Sequence, residues 1–441
     1  MYITLRILCI AALCSGTFAL AGAEKTSADA ENSLLQRARS GNARAQLEAG
    51  FVFFRLNNPV RAAYWFQQAA RQNLPEAQYN LARCHLEGVG VERNLHKAAE
   101  YIDLAAKQNL PEAMLSKAQL SLTGIPAAPD ANPPRPAIAP DEKTAFLLLE
   151  ELSQKNNAPA QFIYAEYLLK KYPSQQTKII DLLDKSAAAG YLPAAVALAD
   201  YLLHRTDSLR DEKRARMLLE KAAPYSFEAM ARLAFAVENG FGAPPEPEKA
   251  LKLYEKVLEK NFHSLAATRL ANYYLAGRAG AKQDIPQAVT LYRKAADAGV
   301  PEAMYHLGEC YTAGIGVNKD SNRAFELFFQ AAKLDYPAAQ YAVGRCFTSG
   351  EGTVRDRQAA FHWYNQAAMR GEPRAMLENG KCYLYGSGTE KDPEKALIFL
   401  QQAYANGITQ AAEFLPEAQK QMKNQPQKIE PQNTPRLRFT L

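Results

Sequence analysis

The sequence predicts an all-α protein, a right-handed α-solenoid of about ten helix-turn-helix units. Three observations lead there. Ten stretches open on alanine, at Ala45, Ala77, Ala113, Ala160, Ala194, Ala229, Ala266, Ala303, Ala339 and Ala375, at successive intervals of 32, 36, 47, 34, 35, 37, 37, 36 and 36 residues. The sixth residue of every stretch is glycine or alanine: Gly50, Ala82, Ala118, Ala165, Ala199, Ala234, Ala271, Gly308, Gly344 and Gly380. A second segment of each unit repeats alanine, at Ala62, Ala98, Ala145, Ala215, Ala250, Ala288, Ala324, Ala360 and Ala396, with Ile179 the one departure, and places a small or apolar residue seven positions later, which is two helical turns. Small residues at fixed stations let two helix axes approach to ~8–10 Å. A hairpin of two amphipathic helices buries its apolar faces only by stacking on its neighbours.

The chain is 441 residues long, and the array does not occupy all of it. Residues 1–23 carry Arg6, an apolar run from Ile7 to Leu20, and Ala21-Gly22-Ala23, the build of a secretory signal cut after Ala23. The run is shorter than the ~20 residues of a bilayer span, and Leu8 and Leu13 stand where a lipoprotein signal needs a small residue before Cys9 or Cys14. An exported mature chain without an integral membrane segment is expected, periplasmic or extracellular. Residues 24–44 are expected to form a lead-in and capping helix, and 45–410 the repeats.

Within the array the helix ends are marked. Pro75, Pro111, Pro193 and Pro301 open first helices, where a missing N–H costs little. Gly190, Gly299, Gly371 and Gly407 supply the left-handed stop after second helices. Between the two helices, turns such as EGVGV, NGFGA, AGIGV, SGEGT and YGSGT precede Asp320, Asp356 and Asp392, which suit the start of the second helix. Residues 125–142, IPAAPDANPPRPAIAPDE, interrupt the third unit with a semi-extended, exposed loop, for which a polyproline docking strand is the functional alternative. Residues 411–423 should form a capping helix, and 424–441 a disordered basic tail.

The units AMYHLGECYTAGIGVNKDSNRAFELFFQAAKLDYP, AQYAVGRCFTSGEGTVRDRQAAFHWYNQAAMRGEP and AMLENGKCYLYGSGTEKDPEKALIFLQQAYANGI resemble Sel1-like repeats, a branch of the tetratricopeptide-type helical-hairpin family, with weaker copies back to residue 45. The units between residues 160 and 228 depart from the pattern by lacking the glycine-rich turn. The resemblance implies a binding surface rather than one chemistry.

Catalytic readings find no support in the motifs. The paired glycines with Lys319 suggest a phosphate loop, but such loops need a strand before them, whereas here helices flank a turn that recurs along the chain. Cys84, Cys310, Cys346 and Cys382 share the eighth station of the first helix; neighbours stacked ~8–10 Å apart exceed the ~7 Å limit for a disulfide, so buried thiols are expected. The resemblance extends to cysteine-rich secreted relatives once linked to β-lactam binding, yet the chain has no Ser-x-x-Lys, Lys-Thr-Gly, His-Glu-x-x-His or Gly-x-Ser-x-Gly. His85, His96, His204, His263, His306 and His362 lack ligand spacing, so no metal or other cofactor is expected. A composition of 48% apolar and 22% charged residues is that of an ordinary globular chain, and a formal charge of +6 gives no reason to expect nucleic acid.

What remains is surface. With stations five, six, eight and nine facing inward, stations three and seven form another stripe, which by resemblance to tetratricopeptide arrays lines a concave groove for partner peptides. Its members are Tyr79 and Arg83, Phe162 and Glu166, Thr268 and Asn272, Tyr305 and Glu309, Tyr341 and Arg345, and Leu377 and Lys381. Tyrosine with arginine is a mixture enriched at binding hot spots. The expected function is therefore an exported, non-catalytic scaffold for partner proteins. The alternatives are a cell-envelope factor that binds glycan or assists a secretion machine, and, against the motif search, a β-lactamase-like hydrolase. Trp65 and Trp363, which a glycan groove would use, both fall in second helices. N-terminal sequencing of the protein recovered from its native host should begin at Glu24; a chain that retains residues 1–23 would refute export by cleavage.

Overall fold

The protein is described by a computed structural model that covers residues 28–127 and 138–423; the expected signal at 1–23 and tail at 424–441 lie outside the described residues. Among these the chain forms 22 α-helices, and its one β-pairing is an isolated bridge. The fold is an all-α solenoid of helical hairpins, in two compact units that divide after Leu198.

In the first unit, α1 (Ala28–Arg39) precedes the hairpins α2 (Ala43–Arg55) with α3 (Pro59–Arg71), α4 (Pro75–Glu87) with α5 (Leu95–Lys107), α6 (Pro111–Thr123) with α7 (Glu142–Gln154), and α8 (Ala158–Lys171) with α9 (Gln176–Ala188). The division falls within α10 (Leu192–Leu203), which α11 (Glu212–Ala222) follows. The second unit continues with α12 (Phe227–Asn239) and α13 (Pro247–Lys260), α14 (Ser264–Ala276) and α15 (Ile285–Asp297), α16 (Pro301–Ala313) and α17 (Ser321–Lys333), α18 (Pro337–Ser349) and α19 (Arg357–Met369), and α20 (Pro373–Tyr385) and α21 (Pro393–Ala405). At 411–423 the expected helix is shorter: a 3₁₀ turn, Thr409–Glu413, leads into α22 (Leu415–Lys423).

The sixth station sets how closely each pair packs. A Cβ on Gly50 would stand 2.4 Å from the Phe66 ring, on Gly308 2.6 Å from Phe328, on Gly344 2.6 Å from Tyr364 and on Gly380 2.8 Å from Leu400. Where alanine holds the station instead it is fully buried, as at Ala82, Ala165, Ala234 and Ala271. The resulting core is continuous through α14–α18, from Ala267 and Tyr292 to Phe328 and Cys346.

The turn glycines join one hairpin to the hairpin before it. A Cβ on Gly352 would lie 2.0 Å from the carbonyl of Ser321, on Gly388 2.0 Å from that of Arg357, and on Gly90 2.1 Å from that of Pro59, each the first residue of the preceding second helix. With φ at 68–76° the second turn glycines of five units (Gly90, Gly242, Gly316, Gly352, Gly388) hold a left-handed conformation and come within a side chain's thickness of the neighbour. The turn between α14 and α15 carries one more residue, puts Ala279 at φ 55°, and leaves open space where a Cβ on Gly280 would stand, with nothing within 4 Å of it beyond chain neighbours.

Helix ends follow the expected chemistry. Asp320, Asp356 and Asp392 accept backbone N–H groups of α17, α19 and α21 through their side chains. At the left-handed stop, Asn73, Asn109, Asn156 and Asp335 take φ near 60° where other units use glycine, which the glycine pattern alone does not reveal. Glutamine at the second station does further capping: the side-chain amides of Gln46, Gln161 and Gln340 donate to Ala38, Ser153 and Ala332, carbonyls at the ends of the preceding helices.

The insertion is tied at its neck rather than extended throughout. Ile125 and Ile138 exchange two backbone hydrogen bonds of 2.8 Å, Ile125 is buried, and Asp141 caps α7; residues 128–137 lie outside the described residues. Cys84, Cys310, Cys346 and Cys382 are free, buried thiols whose pKa burial pushes up to about 11. Because overpacking costs about 1–3 kcal/mol, Gly344→Val should lower stability by about that amount in urea unfolding despite the better helix former. Adding Tyr364→Leu should recover much of the loss; additive effects would contradict the close approach of α18 and α19.

Candidate functional site

The stripe expected at stations three and seven divides. Station three is mostly buried: Leu47, Leu115, Phe162, Val196, Ala231, Thr268, Tyr305 and Leu377 are all at or below 8% exposure, with Tyr79 and Tyr341 half-buried. The reason is the next hairpin. Phe162 packs on Tyr191 at 5.5 Å and Tyr305 on Tyr336 at 5.7 Å, each partner standing just ahead of the following first helix, and Tyr79 hydrogen-bonds Ser116 of α6 at 3.3 Å. Phe162, Thr268 and Leu377 are therefore packing residues, not lining. Station seven does reach the surface: Glu166, Glu309 and Arg345 are exposed, and Arg83, Asn272 and Lys381 half-buried.

In the second unit most of station seven is occupied with neighbours. Asp200 lies 3.5 Å from Arg232; Phe235 sits under the Arg269 guanidinium at 5.1 Å; Asn272 accepts from the Tyr292 hydroxyl; Lys381 pairs with Glu378 at 2.9 Å. Glu309 accepts from Tyr305 at 2.7 Å, and His306 Nδ1 lies 3.1 Å from its other oxygen. Burial works to raise the Glu309 carboxyl, but these two hydrogen bonds outweigh it and hold it below its ordinary value, while burial and the bond to Glu309 push Tyr305 up to about 12. Arg345 differs. It carries no hydrogen bond or ion pair among the described residues, and its guanidinium stands 6.0 Å from the centre of the Tyr341 ring.

Four of the predicted residues meet at one place. Tyr305, Glu309, Tyr341 and Arg345 line a recess of about 380 Å³ between α16 and α18, floored by Ala324 and Phe328 of α17. Tyr79 and Arg83, and likewise Glu166, belong to the first unit and do not share it. A cleft of about 920 Å³ lies elsewhere, between α13 and the lengthened turn before α15. Some of its polar groups are engaged, with Tyr274 donating to Glu255 and Asp284 capping α15, and the cleft lies beside the extra residue of the turn. Among the described residues no three His, Cys, Asp or Glu side chains gather as metal ligands, and no helix is long and apolar enough to cross a membrane.

The family model of the Sel1 repeat matches residues 47–74, 75–110, 192–223, 227–261, 264–300, 301–336, 337–372 and 373–408, more than half of the chain. The chain belongs to the Sel1 repeat family. The stretch between residues 110 and 192, which holds the insertion and the hairpin α8–α9, is not matched, although it folds as hairpins of the same kind. An uncharacterized protein of Neisseria meningitidis serogroup B is 29% identical over 194 residues, which span 36% of this chain and 40% of that one. Among solved structures, a protective antigen of uropathogenic Escherichia coli with an SLR fold matches at 24% identity and TM-score 0.59, covering 89% of this chain and 90% of its own. A Sel1 repeat protein of Oxalobacter formigenes matches at 25% identity and TM-score 0.46, covering 58% of this chain and 99% of its own. The Sel1 repeat fold is that of protein-interaction scaffolds, generally without catalysis of their own.

The Sel1 pattern gives no notice of station four, where the second unit carries Arg232, Arg269, His306 and Glu378. Together with acids near the helix starts they form a row of ion pairs: Arg232 with Glu228 at 2.9 Å, Arg269 with Glu302 at 3.2 Å, and Lys381 with Glu378. His263 completes it. Its Nδ1 accepts the N–H of Ala266 as the cap of α14, so the proton sits on Nε2, which donates to Glu228 at 2.7 Å. That bond, against burial and with help from Arg232, holds Glu228 down to about 2. A folded pKa below the unfolded one stabilises above the ordinary value of 4.5 and is lost as pH falls toward 2. Glu228→Gln should therefore unfold at lower urea than the parent at neutral pH, with the gap closing as the solution is acidified; a gap independent of pH would remove Glu228 from this account.

Proposed function

We propose that this chain is an exported, non-catalytic scaffold that holds a partner protein against the first helices of its second unit, at the recess between α16 and α18. The observation that carries the proposal is Arg345: alone among the charged station-seven side chains of that unit it has no polar partner among the described residues, and it stands over a tyrosine at the edge of a lined cavity. An arginine beside aromatic rings in a partly desolvated hollow is the kind of residue on which protein interfaces concentrate their affinity. Export rests on residues 1–23, and a protein partner on the repeat family and on the position of both tryptophans, Trp65 in α3 and Trp363 in α19, in second helices.

Crosslinking and affinity capture from the native envelope, with the parent chain and Arg345→Glu side by side, test this. Lys381 is less useful as a target because Lys381→Glu would face Glu378 and disturb the fold. Charge reversal at the exposed Arg345 should leave the helical signal intact and reduce recovery of a specific partner several-fold. Equal recovery by the two chains would exclude the recess as the docking site.

A further inference from the structure

The lining of the recess contains both satisfied and unsatisfied groups, and the difference specifies a ligand. Glu309 has both oxygens engaged, by Tyr305 and His306, so its charge is held within the protein. Two donors are left over: the Arg345 guanidinium and the Tyr341 hydroxyl have no hydrogen-bond partner among the described residues. Arg374 lies 4.9 Å from the centre of the same Tyr341 ring, its Nε donating to Glu372 at 2.9 Å and its guanidinium interacting with the Tyr305 hydroxyl, but it is not part of the recess lining. Beneath these donors the recess is apolar. Leu275, Ile315 and Phe328 line it together with the thiols of Cys310 and Cys346, and burial keeps both thiols protonated, at about 11, so that they present neutral surface. Ile315, in the turn after α16, is 39% exposed at the rim.

From this lining we infer that the recess takes a partner segment in which a single carboxylate stands next to a large apolar side chain. The carboxylate accepts from the Arg345 guanidinium, which can offer two parallel N–H groups, and from the Tyr341 hydroxyl. The apolar side chain fills the hollow over Phe328 and Leu275. About 380 Å³ is at the lower end of the volumes that hold small ligands, room for one such side chain and its backbone rather than for a folded surface. Glu351 lines the same recess and Glu309 stands within it, so two carboxylates already face the site. They repel a run of acids and tolerate one, which makes the segment mixed in character rather than simply acidic. A small inorganic anion would satisfy Arg345 and leave the apolar floor exposed.

This inference rests on the protein-binding role proposed above, and a selection experiment separates the two. The full chain is immobilised and a random short-peptide display library is panned against it, against Arg345→Gln and against Ile315→Ser, both exposed positions, with the helical signal of each variant checked first. The parent should enrich peptides that pair one Asp or Glu with a neighbouring Leu, Ile, Met or Phe. A synthetic peptide of the enriched sequence should lose about tenfold or more in affinity when its acid becomes the amide, and a similar factor on Arg345→Gln, as loss of a charge-assisted hydrogen-bonded pair requires. Ile315→Ser should weaken selection for the apolar residue while keeping the acid. Enriched peptides that are basic or lack an acid, or that bind Arg345→Gln equally well, would overturn this ligand class and leave the scaffold role standing. Failure to enrich any peptide over a blank surface would overturn both.

Discussion

The close approach of the two helices in each hairpin, at the sixth station of the first, governs the rest of the molecule. With glycine there, a phenylalanine, tyrosine or leucine of the second helix comes so close to the first helix backbone that a Cβ would collide with it, as with Phe328 at Gly308 and Tyr364 at Gly344. That contact fixes the rotation of the first helix about its own axis. Once the rotation is fixed, station eight must face the core, which is why the cysteines are buried, and station three must face the next hairpin, which is why Tyr305 meets Tyr336. Station seven is left at the surface in every unit, half-buried or exposed, so the chemistry of that face follows from how the hairpins pack.

The same dependence explains what the sequence made legible. Helix number, pairing and most helix ends were written in local patterns, because proline at the first turn, aspartate at the cap and glycine at the stop act within a few residues of themselves. Asn73, Asn109, Asn156 and Asp335 escaped the glycine pattern because a short polar side chain reaches the left-handed region at modest cost. The stripe at stations three and seven divides into buried and surface positions for a different reason. A helical wheel drawn for one hairpin counts only the inside of that hairpin as buried, and Phe162, Thr268, Tyr305 and Leu377 are covered by neighbours the wheel does not contain. The meeting of Tyr305 with Arg345 needed the stacking of α16 on α18, and the satisfied state of Glu309 needed side-chain positions; neither is a periodic property of the chain.

Charge on a repeat surface is mostly consumed by the repeat itself. Glu228 pairs with Arg232 and Glu302 with Arg269, while His263 donates to Glu228 and His306 stands 3.9 Å from Glu302, so these groups engage one another across successive hairpins. Exposed pairs of this type contribute little to stability one at a time, but they determine which charges are not offered to a partner. A face rich in ionisable residues can thus have few free valences, and the informative residue is the one the row leaves out. In the second unit that residue, Arg345, coincides with an apolar hollow, and the coincidence gives the site its character.

The turn before α15 breaks the regularity in another way. In five other units a turn glycine is wedged against the neighbouring hairpin, so the length of that segment is set to the residue; lengthening it would push two helices apart. A Cβ on Gly280 would meet nothing within 4 Å beyond its chain neighbours, and the gap beside it is already open to water. Loop closure grows only slowly more costly with length, and this turn is held by its own backbone bonds, Arg278 to Tyr273 and Ala281 to Arg278, rather than by a glycine wedged against the neighbour. Residues 278–282 are therefore where this array can acquire new sequence without restacking, a vacant joint from which a lineage could grow an arm, and into which a reporter domain could be spliced while the hairpins on either side remain in register.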